Sequence, residues 1–352
     1  IDSCPKKMKA IVTCILNRRI TSSTNAPTAG APLNVGDVIE ITDSVEGETV
    51  EGNALWYKTT DGCYVWSGGV STANPQDQAN SYSWWIDALC IPEIWRNYNE
   101  YGEKAAVAIL DSGYNVNNSD VAEGVKCSGI FFKSANGTPI AINDSYGHGS
   151  HCASLIGGRN IKNITGCAPL SELYIAKICS QGSVKSYTSL VTAIQWAINN
   201  RADIISISYG GEDPDEDLER MINSAVNEHN ILVIASIGDT QTSNRPCYPA
   251  LYNNCLAVGA TNEKNEISTI SIVNDKTEIY APGENIMGYW LGNTPEAKNG
   301  TSQAAAIMSG ICALIISRHK KLGKSYTVNS IRNLIIQNAD FISENQKLIS
   351  PI

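Results

Sequence analysis

The stretch Val107-Ala108-Ile109-Leu110-Asp111-Ser112-Gly113 decides the fold. Its apolar run, which begins at Ala105, suits a strand buried on both faces, as strands are inside a parallel sheet. The run stops at an Asp, and a small residue and a Gly then let the chain turn. Comparable runs recur at residues 173–178, 204–207 and 231–237, with helical patterns between them. Over residues 187–200, Leu190, Val191, Ile194, Ala197 and Ile198 fall at helical spacing. A second helix is predicted to open at Asp213, with Pro214 at its first position and Glu216 three residues after the cap. Its apolar face is Leu218, Met221, Ile222, Ala225 and Val226. Further helices are expected over residues 302–319 and 328–338. Strands alternating with helices in this way predict an α/β fold, a parallel sheet with helices on both faces.

Before residue 75 the chain has a different character. Short β-type runs at residues 10–16, 38–42, 55–59 and 63–66 are separated by turn residues, among them Gly30-Ala31-Pro32, Gly36-Asp37 and Asp61-Gly62. Such spacing predicts a small β-barrel. Residues 71–83 are polar and aperiodic and read as a linker. The expected division is therefore a barrel at 1–70, a linker at 71–83 and a large domain at 84–352. Of 352 residues, 43% are hydrophobic and 17% charged, enough apolar chain for a core that needs neither disulfides nor metals. A net charge of −9 argues against a nucleic-acid or anionic-membrane partner, which requires clustered Lys and Arg. No apolar stretch reads as a membrane span of about 20 residues. The first residues, Ile1-Asp2-Ser3-Cys4, show neither an initiator Met nor a signal-peptide core, so a targeting segment is expected to have been removed. Eleven cysteines at irregular spacing include no Cys-x-x-Cys pair, which leaves a zinc or thioredoxin-like reading without support. Cys127, Cys152, Cys179 and Cys312 sit in apolar runs and are expected to be buried free thiols.

In open parallel sheets, sites gather at the carboxyl ends of strands. Three segments fit that placement. Asp111 ends a strand. In Tyr146-Gly147-His148-Gly149-Ser150-His151-Cys152-Ala153, glycines flank a His just before a helix of small residues. In Asn299-Gly300-Thr301-Ser302-Gln303-Ala304-Ala305-Ala306, a Gly leads into a Ser at the start of a long apolar helix, whose dipole favours negative charge there. Ser is a poor nucleophile until a base takes its proton, and His can do so near neutral pH. A buried carboxylate then fixes the imidazole tautomer and stabilises the imidazolium. Singly, the Asp reads as a turn former, the His as structural and the Gly-Thr-Ser as a cap. Together, in the order Asp, His, Ser, they match one of the known orders of a nucleophilic triad.

From about Trp84 onward the chain resembles the subtilisin-like serine proteases (subtilases). The resemblance rests on Asp111-Ser112-Gly113, His148-Gly149-Ser150-His151 and Gly300-Thr301-Ser302. It extends through residues 173–211, with Trp196-Ala197 on the helix and Ser208-Tyr209-Gly210-Gly211 after the strand. It implies a serine endopeptidase acting on a polypeptide, with Asp111 orienting, His148 as general base and acid, Ser302 as nucleophile and His151 structural. It also implies that Gly182-Ser183-Val184 pairs with one edge of an extended substrate and Ser208-Tyr209-Gly210 with the other. Ala235-Ser236-Ile237-Gly238 would line the pocket for the residue before the scissile bond. Cys152, beside the His motif, would make the site sensitive to thiol reagents. The first 70 residues resemble a bacterial SH3-type domain. The matching residues are Ile15-Leu16-Asn17-Arg18, Val35-Gly36-Asp37-Val38-Ile39-Glu40-Ile41, Trp56-Tyr57-Lys58 and Asp61-Gly62-Cys63-Tyr64-Val65-Trp66. That second resemblance implies a peptide or cell-wall ligand and a secreted bacterial protein, while the odd thiol count leaves a cytoplasmic location open. Trp56, Tyr57, Tyr64 and Trp66 either line a ligand groove or fill the barrel core.

Two departures from the subtilase pattern matter most. Asp239 follows Gly238 where the family places an Asn that binds the oxyanion, so the oxyanion pair here would be Asp239 and the N–H of Ser302. Loss of that donor costs ~10²–10³ in rate, a figure that comes from subtilisin itself. An ionised Asp only accepts hydrogen bonds and repels an oxyanion. Either burial keeps Asp239 protonated and donating, or catalysis is slow or lost, or Asp239 points away and Ser302 N–H suffices. Ala306 stands where a Pro is usual, which costs rigidity and no chemical group, and Gln303 replaces the usual Met. These departures keep open a second reading, a catalytically impaired peptide-binding or regulatory protein. The acidic run Glu212, Asp213, Asp215, Glu216, Asp217 signals either a preference for basic substrate residues or a helix start carrying the acids it favours. No cofactor is required by this chemistry. Subtilases often bind structural calcium, but residues 115–120 lack a calcium-loop spacing, and no metal is assigned.

Overall fold

The computed structural model describes residues 8–12, 16–33, 37–50, 53–71, 84–132, 140–159, 164–180, 187–343 and 346–349. The chain forms two units, Ile1–Ala79 and Asn80–Ile352.

In the first unit five strands make one antiparallel sheet. They are β1 (Met8–Val12), β2 (Val38–Val50), β3 (Asn53–Thr59), β4 (Tyr64–Trp66) and β5 (Val70–Ser71), in the order β4-β3-β2-β1-β5. A single 3-10 turn, Ser67–Gly69, joins β4 to β5. β2 is longer than the predicted 38–42, and its register against β3 shifts at two places. Part of the predicted run at 10–16 lies outside the described residues. Ile39 and Ile41, two apart on β2, point into a core with Val12, Leu16, Tyr57, Val65 and Val70. The four aromatic side chains divide evenly. Trp56 and Tyr57 are buried, and Tyr64 and Trp66 are half-buried.

The second unit starts with α1 (Trp84–Ala88) and α2 (Ile91–Tyr98). Then follow β6 (Ala106–Asp111), α3 (Ser119–Ala122), β7 (Val125–Ile130), α4 (His148–Gly157), β8 (Glu172–Lys177), α5 (Thr188–Asn199), β9 (Ile204–Ile207), α6 (Glu216–Asn227) and β10 (Leu232–Ser236). β11 (Cys255–Thr261), β12 (Ile279–Pro282), β13 (Ile286–Tyr289), β14 (Pro295–Lys298), α7 (Thr301–Lys321), α8 (Val328–Gln337), β15 (Asp340–Ser343) and β16 (Gln346–Leu348) complete it. Nine strands form one sheet in the order β15-β16-β12-β11-β10-β9-β6-β8-β7, parallel except for the β15–β16 pair. β6, β9 and β11 are buried at every position, so both faces of the sheet are covered.

Strand order places the site. From β6 the chain builds β7 and β8 on one side, then crosses to build β9, β10, β11 and β12 on the other. The order reverses at β6, and such a switch point opens a crevice beyond the carboxyl end of the strand. Asp111 is the last residue of β6.

α5 begins and ends within one residue of its prediction, with Leu190, Ile194, Ala197 and Ile198 buried. α6 starts two residues later than predicted. Its N-cap is Asp215, whose carboxylate accepts the N–H of Leu218 at 2.8 Å. α7 is apolar nearly all round and runs through the core, as such helices do. By length and hydropathy it passes as a membrane span, contrary to the expectation that no stretch would. Yet 83% of its apolar window is buried inside the fold, and it packs on β9, β10, β11, β12 and α4. Nine cysteines lie among the described residues, and all are free. Cys152, Cys179 and Cys312 are buried, whereas Cys127 is only half-buried because β7 is the outermost strand.

Candidate active site

Asp111, 1% exposed, holds its carboxylate against the start of α4. His148 opens that helix, and its Nδ1 lies 2.9 Å from both carboxylate oxygens. A carboxylate beside Nδ1 makes that nitrogen the donor and leaves Nε2 free to accept a proton. Burial works to lower the pKa of His148, but the Asp111 carboxylate and Cys152 reverse the effect and hold it well above the usual histidine value. Close approach here depends on glycine. A Cβ on Gly149 would sit 2.3 Å from the Gly113 carbonyl oxygen and 3.0 Å from Asp111 Oδ1.

Ser302 is the second residue of α7. Its hydroxyl donates to the Ser208 carbonyl at 3.3 Å, and the Ser208 hydroxyl donates back to the Ser302 carbonyl at 3.2 Å. His148 rests on the next residue, with its ring centroid 5.1 Å from that of Tyr209. Cys152 Sγ touches both sides, 4.0 Å from His148 Nδ1 and 3.8 Å from Ser208 Oγ. His148 and Ser302 therefore flank one short segment at the end of β9. Among the described residues no hydrogen bond joins them, a common state of such pairs before substrate binds.

Asp239 faces the start of α7. Its Oδ1 accepts both the N–H and the hydroxyl of Thr301, each at 2.8 Å. The side chain so caps the helix, and among the described residues nothing is bonded to the N–H of Ser302. On the opposite wall, Cys247 N–H donates to the Ile237 carbonyl and Tyr248 exchanges two backbone bonds with Gly211. This crossing segment ties together the stretches that follow β9 and β10. Gly210 is exposed and Ser236 and Gly238 half-buried, whereas Ala235 and Ile237 are fully buried and offer no surface. Gly182, Ser183 and Val184 lie outside the described residues.

His151 is fully buried. Its Nε2 lies 3.1 Å from the Ile286 carbonyl and 3.2 Å from the Glu296 carbonyl, and these neighbours assign the proton to Nε2. Burial, aided by the nearby His148, lowers its pKa to about 3. The ring ties α4 to the β13–β14 hairpin and stays neutral. Of the acidic run, Asp215 caps α6, Glu216 and Asp217 lie in its first turn, and Glu212 binds Arg245 at 2.9 Å and the Ser243 hydroxyl.

Two aromatic residues join the site, Tyr146 from the His motif and Trp290, which no sequence motif marks. Trp290 meets the His148 ring edge-on at 6.1 Å and Tyr146 at 5.4 Å, and Lys298 Nζ sits 4.1 Å from its ring centroid. Asp111, His148 and Cys152 bring an oxygen, a nitrogen and a sulfur within 4.8 Å of one another, a donor set that suits a soft divalent cation. The Asp120 carboxylate, within the segment considered for calcium, accepts the Tyr289 hydroxyl. A cavity of about 330 Å³ lined by Arg201, Asp203, His229 and Lys320 lies at the opposite, amino-terminal ends of β9 and β10.

An open parallel sheet with an Asp–His pair and a Ser gathered at its switch point defines an α/β protein of the serine-hydrolase type. The Subtilase family model matches residues 102–349, and the chain belongs to that family. It is 31% identical over 256 residues to Subtilisin Savinase of Lederbergia lenta, covering 72% of this chain and 91% of that one. It is 31% identical over 255 residues to the Minor extracellular protease Epr of Bacillus subtilis, covering 72% of this chain but 37% of Epr. With the Thermostable alkaline protease of Halalkalibacterium halodurans the identity is 33%, and the match covers 65% of that protein. Among solved structures, the prenylagaramide maturation protease PagA superposes with a TM-score of 0.62 at 28% identity, over 72% of this chain and 89% of PagA.

Proposed function

We propose that the chain is a serine endopeptidase. Ser302 attacks the peptide carbonyl, and His148 Nε2 takes its proton and passes it to the leaving amine. Asp111 holds the imidazole, and water then hydrolyses the acyl-enzyme. The observation that carries this reading is the Asp111 carboxylate at 2.9 Å from His148 Nδ1, with Ser302 and His148 both against the Ser208-Tyr209 segment. The N–H of Ser302, at the positive end of α7, is the oxyanion donor. Asp239 contributes as the cap that fixes this helix start, and its charge slows the reaction.

A fluorophosphonate probe tests the proposal. Labelling should occur in the unmodified protein and vanish in Ser302→Ala. No labelling between about pH 4 and 9, a range that spans the titration of Asp and His, would favour the second reading, a peptide-binding protein without turnover. The acceptor-only contacts of Asp239 are the feature in its favour.

The first unit is read as an SH3-type barrel. The sheet order β4-β3-β2-β1-β5 and the 3-10 turn before β5 support it. Tyr64 and Trp66 are the aromatic residues available to a peptide or cell-wall ligand. The name of the Bacillus subtilis relative, an extracellular protease, supports an extracytoplasmic location.

A further inference from the structure

We propose that Asp144 is a positioning residue for the Asp111–His148 pair, setting the separation between the turn that carries the carboxylate and the helix start that carries the imidazole. The inference rests on the endopeptidase reading and adds a residue to it.

Asp144 is 3% exposed and accepts five hydrogen bonds. Oδ1 receives the hydroxyl of Ser112 at 3.0 Å, the N–H of Tyr146 at 2.9 Å and the N–H of Gly147 at 2.8 Å. Oδ2 receives the N–H and the hydroxyl of Ser150, at 2.9 and 2.8 Å. The donors come from two places. Ser112 adjoins Asp111, and the other three residues flank His148. Ser112 Oγ closes the link by accepting the N–H of Gly149 at 2.9 Å. One carboxylate and one hydroxyl thus join the end of β6 to the first turn of α4, on either side of the Asp–His bond.

Burying a charge this deeply needs compensation. The helix start supplies part of it, since its unpaired N–H groups point at the carboxylate. Lys177, the neighbour of Asp111 in the sheet, adds a positive charge nearby. It is 2% exposed and donates from Nζ to the carbonyl of Asn143 at 2.6 Å. A carboxylate is the only side chain of this size with acceptors on both branches. In Asp144→Asn the new NH₂ would face the N–H of Ser150 or those of Tyr146 and Gly147, so the start of α4 must shift against the side chain that ties it to Ser112. Apart from that shift, every group of the proposed triad would remain in place.

The test measures kcat and KM on a peptide anilide, together with the downfield ¹H resonance of the His148 Nδ1–H bond to Asp111. Asp144→Asn should lower kcat about 10²-fold, the scale of a displacement near 1 Å, and leave KM within a small factor. The resonance should shift or disappear in a variant that still unfolds cooperatively. Should that variant fail to fold, Ser112→Ala carries the test. It deletes one hydroxyl from the link and adds no donor, and it should lower kcat and move the resonance in the same sense, by less. A folded Asp144→Asn or Ser112→Ala with unchanged kcat and unchanged resonance would overturn the proposal. So would a loss confined to KM. If the unmodified protein takes no fluorophosphonate label, the nucleophile reading has failed, while the resonance still reports whether Asp144 positions the pair.

Discussion

Asp239→Asn sets two effects of one side chain against each other. The Asn oxygen can keep the bond from Thr301 N–H that Asp239 Oδ1 now accepts at 2.8 Å. Its Nδ2 then takes the place of Oδ2, next to Gly300, two residues before Ser302, turning a repelling acceptor into a donor. An oxyanion donor is worth ~10²–10³ in rate, the value known from subtilisin. The expected gain in kcat is therefore about 10²-fold, or ~2.7 kcal/mol of barrier. Stability should move the other way. Losing a negative charge at a helix start costs about 1 kcal/mol in a partly buried setting, or roughly 2–4 °C in Tm for a domain of this size. Asp239→Ala separates the parts, since it removes the charge but supplies no donor, and it should gain less than the Asn variant. The assay is steady-state hydrolysis of a peptide anilide with active sites counted by fluorophosphonate titration, beside thermal unfolding. An Asn variant with unchanged Tm and unchanged or reduced kcat would refute the placement of Asp239 beside the oxyanion.

Other expectations follow from the same contacts. The pKa of His148 is raised, so the stability of the charged pair with Asp111 is fully present below about pH 6.5, the ordinary His value. It is lost as pH rises through the higher folded value. Catalysis needs neutral imidazole, so kcat/KM should rise with pH to a midpoint above that of a free His, as an NMR titration of His148 would also show. His151 behaves oppositely. With its pKa lowered to about 3, it stabilises the fold above pH 6.5 and loses that contribution as pH falls toward 3. Between pH 7 and pH 5 the loss is about 2 kcal/mol, and urea unfolding should show this difference shrinking by that amount in His151→Gln. The grouping of Cys152 with Asp111 and His148 predicts inhibition by cadmium or mercuric ions, reversed by a competing thiol and absent in Cys152→Ala. Inhibition that survives in the Ala variant would place the ion elsewhere.

The sheet was legible where burial left a mark on composition. β6 and β9 are buried on both faces, so their residues are apolar apart from the terminal Asp111 and Ser206, which accepts the hydroxyl of Ser309. The start of α6 was not legible, because Asp213 and Asp215 are both competent caps. A distant hydroxyl favours the later one. Tyr252 accepts the N–H of Asp215 at 2.8 Å and donates to its carbonyl at 2.9 Å, a contact no local pattern encodes. The run of β2 past Thr42 was not legible because residues 43–50 are mostly polar with none buried, and such a strand looks like a loop until its partner is known. At the site, Asp111, His148 and Ser302, the proposed triad, each sit in a short motif of glycines and small side chains that the sequence displays. Other neighbours were not legible. Trp290 reaches His148 from a hairpin about 140 positions away, and Asp144 matters through Ser112, 32 positions off.

The two helix starts at the centre explain why the carboxylates around them are not interchangeable. α4 and α7 each present unpaired N–H groups at the first turn; α4 is served by an acid just ahead of it in the chain and α7 by one 62 positions away. Asp144 occupies the N–H groups of Gly147 and Ser150, binding the end of α4 into the fold. Nothing in the reaction needs those groups, so a closed cap there gives only rigidity, which the imidazole requires. Asp239 occupies the N–H of Thr301 alone. The next N–H along α7 belongs to Ser302 and stays available to a developing oxyanion, with the helix dipole behind it. A cap that also took the Ser302 N–H would hold α7 more firmly and remove the one backbone donor that the proposed chemistry uses. The same economy bounds what Asp239→Asn can achieve. The Asn must keep to the Thr301 side while offering its amide to the oxyanion, and a variant whose amide turned back onto the helix would be stable and slow.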